Sequence, residues 1–585
     1  TLFRFPFRTA KTAASSEISK KQYSEEGALD ELVSGFKKVI SKTLLFLRHV
    51  KRIEFYVEKN ESGPELQFYA DVAGRVPVQE ESTSQYSGMS AIRSLATSAG
   101  FGTPQYQDWN SISEFIANDN GMNLGKEAFY GKLMRTPENQ LPRTKHIVTI
   151  NFFSNEHSAD EDRNNIIEDK YLICSALGGG QCRAIACNPS NFENKFLPWG
   201  NVAAHLSRNG NSLPLRHGNA FCFLPLPAET GFNVHINGYF ELSANRRDIW
   251  VGSDMTGQGH IRSEWNRSLL WDVISPLYIQ LLLTARSLMG PGHEYAKLWP
   301  TQVSSDIWKI VRSRVYQIAE DTPLFYTPLK GGQWVSMKSS VFLQEEEFKD
   351  DEIKVQRMSL KNKMLLDILL QENLNMVTIP KSVVECMKAE ACVVNEANSA
   401  FVRDWFKKEV HHPSLNSREN AVFLLRYCLD DIFEEKRWKQ VYGLPLLPLA
   451  NGQLGKITDP NSSKFFVVNK EEKYLMEEGS RFIVDTWTDD SRLNVYLMNK
   501  SFQEGTNLQS IDSSNFVRLI SYAYPEEWRG LPEIHWQPNK EDTQQIQQVS
   551  KLVQSWFEAQ GSSSTLWGAG FQKIVVGFKE TFISG

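Results

Sequence analysis

The residues best suited to chemistry lie in "HINGYFELSANRRDIW", positions 235–250. The Asn-Gly pair predicts a tight turn, then a strand, then Arg246, Arg247 and Asp248. Two adjacent arginines cannot both hide. One can clamp a carboxylate and tie the loop down. A guanidinium at the end of a strand can also reach a phosphate and stabilise the charge that develops on it. Arg246 and Arg247, with Asn245 beside them, are therefore candidate phosphate-contacting residues.

Other chemistries find no complete motif. "GMNLGKE" at 121–127 is one residue short of a phosphate-cradling loop and has Glu127 where a hydroxyl is needed to reach Mg²⁺. "GGGQC" at 178–182 lacks the dinucleotide-binding spacing. No GxSxG or HExxH occurs. His411 and His412 precede Pro413, where a surface turn is expected. Cys174, Cys182 and Cys187 lack zinc-ligand spacing, so no metal is expected.

Composition narrows the class. The chain has 585 residues, 41% hydrophobic and 23% charged, as in globular protein with several cores. With 34 Phe and 15 Trp it is rich in aromatics, which implies large packed or partner-binding surfaces. A net charge of −5 gives no reason to expect nucleic acid or an anionic membrane as partner. Seven scattered cysteines argue against a disulfide framework. The most apolar stretch, "SLLWDVISPLYIQLLLTARSLM", is interrupted by Asp272, Pro276 and Gln280 and reads as a buried helix rather than a membrane span. Cytoplasm is the expected compartment.

The elements that must position the arginines are legible by period. "TLFRFPFRT" reads as a strand with Phe3, Phe5 and Phe7 on one face. Leu29, Leu32, Val33, Phe36, Val39 and Ile40 make a helical stripe. "KRIEFYVEK", "PELQFYADVAG", "KHIVTINFF" and "KYLICSALGG" are β-rich, with the charged "SNEHSADEDRNN" between the last two predicted as an exposed loop. Residues 76 to 142 read mostly as loop. A long helix runs from Gly259 to Met289, and another starts at Asn416, capped with Glu419, burying positions 421, 424, 425, 428, 429 and 432. "PLKGGQW" (328–334) and "PLANGQL" (448–454) predict two hairpins that echo each other. A further helix is expected in "TQQIQQVSKLVQSWFEAQ".

Five stretches taken in order resemble the sacsin-repeat family, which is related to the GHKL-type heat-shock chaperones: "TLFRFPFRT", "FCFLPLPAETGFNVHINGYFELSANRRDIW", "WNRSLLWDVISPLYIQLL", "LLRYCLDD" and "GLPLLPLANG". The resemblance is densest over 215–285 and 420–455 and thins after about 540. It implies an α+β or mixed α/β multidomain fold. Residues 1–22 would be the last strand and exit segment of an upstream ATPase-like domain, and 23–140 a helix with strands and loops. Residues 141–300 would form a sheet domain like the chaperones' middle domain with a long closing helix, 301–460 a helical region with two hairpins, and 461–585 a mixed C-terminal segment. In the related chaperones a middle-domain arginine in a Leu-Asn-x-Ser-Arg-Glu loop reaches the nucleotide's terminal phosphate. Counting from Leu242 gives Arg246, and matching the Arg-acid pair gives Arg247. Ser243 stands where the family has Asn.

The function implied is a chaperone or co-chaperone scaffold in protein folding and quality control. Its partners would be client proteins, neighbouring repeats and other chaperones, not nucleic acid. The alternative is one part of an ATP-dependent GHKL-type ATPase, with ATP and Mg²⁺ held upstream and no cofactor or complete catalytic site in this chain.

Overall fold

A computed structural model describes residues 10–17, 25–58, 63–78, 111–117, 125–155, 166–211, 217–252, 257–350, 353–357, 359–408, 410–433, 436–449, 451–468 and 491–511. It also describes Phe3 and short strands at 482–483, 533–535 and 582–584. The rest of the predicted strand at 1–9, most of the 76–142 stretch, the charged loop 156–165 and the helix expected at 543–560 lie outside the described residues. The chain is mixed α/β and divides into two compact units. One comprises Thr1–Ser340, Gln344–Glu346 and Val377–Val394, and the other Val341–Leu343, Glu347–Met376 and Asn395–Gly585.

The first unit is built on eight strands: β1 (Arg52–Glu58), β2 (Pro64–Pro77), β3 (Arg143–Ser154), β4 (Ile166–Leu177), β5 (Trp199–Arg208), β6 (Asn219–Cys222), β7 (Leu224–Glu229) and β8 (His235–Gly238). Their spatial order is β1-β2-β3-β4-β5-β8-β6-β7. The pairs are antiparallel except β6 with β8. The sheet thus takes its first two strands from the segment before residue 140.

Alternation sets the faces. In β1, Ile53, Phe55 and Val57 turn inward while Arg52, Glu54, Tyr56 and Glu58 are exposed. The inward face packs Phe68, Ile150, Phe152, Ile173 and Phe221 with Ile40, Leu44 and Leu45 from the helix α1 (Glu25–Thr43) and the turn after it. Phe55 stacks on Phe68 at 4.8 Å between ring centres, and Phe46 meets Phe221 edge-on at 4.9 Å. The α1 stripe departs from its periodicity. Ile40 is buried and Val33 and Val39 half-buried, but Leu32 and Phe36 are exposed.

The other face, at β4 and β5, is covered by a helical run over 258–289. It consists of an α-helix (Gln258–Leu269), one π turn (Leu270–Ile274) and a second α-helix (Ser275–Met289). Pro276 has no N–H to give to the carbonyl of Asp272, so the ordinary ladder fails there. One residue earlier the Ser275 amide reaches five residues back to the Leu270 carbonyl, which also accepts the Ser275 hydroxyl at 2.7 Å. By length and composition this run could cross a bilayer, and 72% of its most apolar window is buried inside the protein. Trp265 is fully buried and stacks on Phe196 at 4.5 Å, which contributes about 3 kcal/mol.

"HING" is not a turn. His235–Gly238 is β8, and all four residues are buried. The Asn237 side chain donates to Asn201 at 2.7 Å and accepts from the Phe223 amide at 2.7 Å. A Cβ on Gly238 would lie 2.8 Å from the Phe240 ring and 3.1 Å from Leu269. The glycine serves close packing here, not positive φ.

The hairpin at 328–334 joins Phe325–Thr327 to Gln333–Val335, and that at 448–454 joins Leu447–Pro448 to Leu454–Gly455. In the second unit the helix Arg418–Leu429 starts one residue later than read from sequence. Ser417, not Asn416, is its cap, accepting from the Asn420 amide. Its stripe of Ala421, Leu424, Leu425, Cys428 and Leu429, with Ile432 beyond, is fully buried, and from Leu424 on it belongs to that unit's core. His412 is buried rather than at the surface. Its Nδ1 lies 2.8 Å from Glu372, which also accepts from the Ser414 hydroxyl at 2.6 Å.

Candidate functional site

The arginine loop leaves β8 and returns as a narrow hairpin. Leu242 bridges Ile249, the Trp250 amide donates to Glu241 at 2.8 Å, and the Ser243 amide donates to Asp248 at 2.9 Å. Its tip is a turn closed by the Arg246 amide on the Ser243 carbonyl at 2.8 Å, which places Arg246 at φ 55°, in the left-handed region. Asn245 organises this tip. Its Oδ1 accepts from the Ser243 hydroxyl at 2.6 Å and from the Arg247 amide at 2.9 Å.

The base of the loop is held from below by the helix 258–269. Asn266 is fully buried. Its Oδ1 accepts from the Glu241 amide at 2.9 Å, and its Nδ2 donates to the carbonyls of Glu241 at 2.8 Å and Trp250 at 2.9 Å. Arg262 donates to the Glu241 carboxylate at 2.7 Å and to the Leu242 carbonyl at 2.6 Å. Arg262 and Asn266 thus do the tying-down that the sequence offered to Arg247 and Asp248. Arg246 and Arg247 project from the tip, both exposed, with no side-chain ion pair or hydrogen bond among the described residues. The arrangement is a pair of free guanidiniums on a fixed base, suited to engaging an anion brought to it.

A second feature was invisible to spacing. Gly178, Gly179 and Gly180 link β4 to the helix Gly180–Cys187 and floor a cavity of about 200 Å³. A side chain at any of the three would meet a neighbour. An added Cβ would lie 2.1 Å from the Val273 side chain at 178, 2.1 Å from the Glu138 carboxylate at 179, and 2.7 Å from the Asp272 carboxyl at 180. Both acids cap the helix, Glu138 accepting from the Gly180 amide at 2.8 Å and Asp272 from the Cys182 amide at 2.9 Å. Burial, with the Glu138 charge adding, pushes the Asp272 carboxyl above its usual range. Burial also pushes the nearby Cys182 thiol up, so it stays protonated. The π turn presents both Asp272 and Trp271 to this cavity.

A third feature lies on the outward face of the sheet's free end. Glu54, Tyr69, Phe153 and Ile166 stand opposite one another across β1 to β4. Tyr69 stacks on Phe153 at 5.1 Å, with the Arg52 guanidinium 3.8 Å from the Tyr69 ring centre. Tyr56 and Ile166 flank the pair, 45% and 42% exposed.

Comparison with known proteins agrees with the five-stretch resemblance. Residues 1–69 match the family model described as Sacsin domain. Over 576 residues the chain is 25% identical to Sacsin of Homo sapiens, a match covering 93% of this chain and 11% of that protein. The chain is therefore sacsin-like along nearly all its length and spans about a tenth of that relative. No solved structure matches.

Proposed function

We propose that this sacsin-like chain is a cytoplasmic, protein-binding scaffold segment of a chaperone or co-chaperone repeat. Its partners are unfolded or assembling client chains, neighbouring repeats and other chaperones. The observation that carries this reading is the row on the outward sheet face in which Tyr69 stacks on Phe153 and Phe153 stands opposite the exposed Ile166, with the exposed Tyr56 two residues along β1 from the Tyr69 partner Glu54. Aromatic and apolar side chains in register across β2 to β4, with Tyr56 exposed nearby on β1, suit capture of extended apolar segments. The test is suppression of thermal aggregation of a model client such as citrate synthase. The intact chain is expected to suppress it, and Tyr69→Ser with Phe153→Ser to lose most of the effect at unchanged melting temperature. A double variant as active as the parent would refute the assignment.

A second reading is favoured by the arginine loop. In it the sheet domain acts as a GHKL-type middle domain, and Arg246 or Arg247 reaches the terminal phosphate of Mg-ATP bound by an upstream domain. Two free guanidiniums on a base pinned by Asn266 and Arg262 support it. In a longer chain that includes the upstream segment, Arg246→Ala or Arg247→Ala is expected to lower ATP turnover by 10³-fold or so, the scale of such arginines. Turnover insensitive to both, or absent in the parent, removes this role.

A further inference from the structure

The two edges of the eight-stranded sheet are built differently. β7, "LPLPAE", carries Pro225 and Pro227, which have no N–H to offer a further strand, and α1 packs against it. β1, "RIEFYVE", contains no proline. The Val72 amide donates to the Lys51 carbonyl at 2.8 Å. Bonded residues alternate along an antiparallel ladder. Ile53, Phe55 and Val57 therefore give their N–H and C=O groups to β2, while those of Arg52, Glu54 and Tyr56 point away from the sheet. Among the described residues nothing takes them. The charged side chains do not close the edge. Arg52 lies over the Tyr69 ring and bonds Glu54 at 2.6 Å, and Glu54 also accepts from the Tyr56 hydroxyl at 2.9 Å. On the inward face the core is open at this edge. Phe55 is only half-buried, Phe36 of α1 lies 5.5 Å from it between ring centres and is 43% exposed, and Leu32 one turn earlier is 40% exposed.

We infer that β1 is a two-fold pairing surface for a second copy of this chain, the two β1 strands running antiparallel with Phe55 opposite Phe55. The charges choose this partner and this register. Centred on Phe55, the pairing sets Arg52 opposite Glu58 twice, Ile53 opposite Val57, and Glu54 opposite Tyr56. Moving the axis one residue either way sets Glu54 opposite itself or opposite Glu58, and a half-step sets outward residues against inward ones. The hydrogen-bond phase agrees. Glu54 and Tyr56 both turn their backbone groups outward, so they exchange both bonds across the axis. The inward seam gathers both Phe55 rings with the exposed Leu32 and Phe36 of each α1, which closes the gap in both cores. On the outward face Tyr56 of the second copy falls opposite Glu54, in line with Tyr69, Phe153 and Ile166, so one row runs through both sheets. The pairing uses up both β1 edges and leaves only the proline-bearing β7 edges, so growth stops at a dimer.

The test is sedimentation velocity on the whole chain between about 1 and 100 µM at neutral pH. A reversible dimer with a dissociation constant of about 100 µM or tighter is expected. Glu54→Pro removes an N–H that gives nothing to β2 and should weaken dimerisation at least about tenfold, with the melting temperature of the dilute chain little changed. Arg52→Glu and Glu58→Arg should each weaken it about tenfold, and the double reversal should return it to within about threefold of the parent. The inference is overturned if the chain stays monomeric to about 100 µM, which leaves the edge to another occupant such as an extended client segment. It is equally overturned if association grows past the dimer, if Glu54→Pro dimerises like the parent, or if the double reversal dimerises no better than the single variants.

Discussion

Asn266→Ala should release the arginine loop without unfolding the sheet beneath it. The side chain is fully buried and makes three hydrogen bonds, one from the Glu241 amide and two to the carbonyls of Glu241 and Trp250. Each such bond is worth about 1 kcal/mol net, and an abandoned buried partner adds to the cost. The Glu241 carbonyl keeps the Trp250 amide at 2.8 Å, so one of the three losses is softened. The sum is about 3 kcal/mol, felt locally. Native-state hydrogen exchange at the Glu241, Ser243 and Trp250 amides reads it directly, and protection there should fall by roughly 10²-fold. Asn266→Asp keeps the acceptor but sets an oxygen against two carbonyls, and should cost at least as much. If exchange at those amides changes less than about threefold in Asn266→Ala, the loop is held by something other than this side chain.

Other consequences follow from burial and charge. Burial, with Lys42 and His205 adding, holds His235 down at about 3, and burial with Arg75 adding does the same to His146. Both stay neutral when folded, while the unfolded chain takes up their protons below about pH 6.5. Their stabilisation is thus complete above that pH and is lost on acidification, about 1 kcal/mol each between pH 6.5 and 5.5. Urea melts of the first unit at those two pH values should differ by about 2 kcal/mol, and His235→Gln should roughly halve the difference. In the second unit burial pushes the Glu372 carboxyl up, but bonds from Ser414, His412 and Trp405 outweigh it, so it ends below its ordinary value of 4.5. The stability it contributes is full above that value and lost as pH falls through its lowered folded one. Glu372→Gln should cost about 2–3 kcal/mol near neutrality, measured on that unit's denaturant transition. Gly218→Ala would put a Cβ 1.7 Å from the Val234 carbonyl oxygen and should abolish soluble expression, whereas Gly179→Ala meets only the movable end of Glu138 and should cost about 1 kcal/mol by thermal melt. Arg246 sits at φ 55°, so Arg246→Gly should be neutral or slightly stabilising, where Arg247→Gly should cost about 0.5–1 kcal/mol.

What could be read beforehand was what local period controls. The run over 258–289 and the stripe from Ala421 to Ile432 are apolar enough that tertiary packing only ratifies them. Misreadings arose where a distant partner decides. Asn237-Gly238 has turn grammar, but Asn201 and Phe223 supply hydrogen bonds that a turn would not, and Gly238 is needed for packing against Phe240. His412 looked like surface until Glu372, forty residues away, paired with it. Asn416 and Ser417 are both good caps, and only the backbone path selects the second. The arginines were found because they are adjacent in sequence. The supports of their loop, Arg262 and Asn266, lie on another element, and nothing marked them. The cavity is the extreme case. Residues 138, 144, 178–180, 272 and 314 come from one strand, four separate helical segments and the glycine link that leads into one of them, so no one-dimensional spacing could assemble them.

The helical run over 258–289 has a mechanical consequence. Asn266 grips the arginine loop, and Asp272, six residues on, grips the glycine floor. The separation is about 9 Å along one axle. Between the two grips lies the wider π turn, so their angular phase depends on an uneven gear rather than a uniform thread. A residue removed from that turn would leave both grips intact chemically and aim them apart.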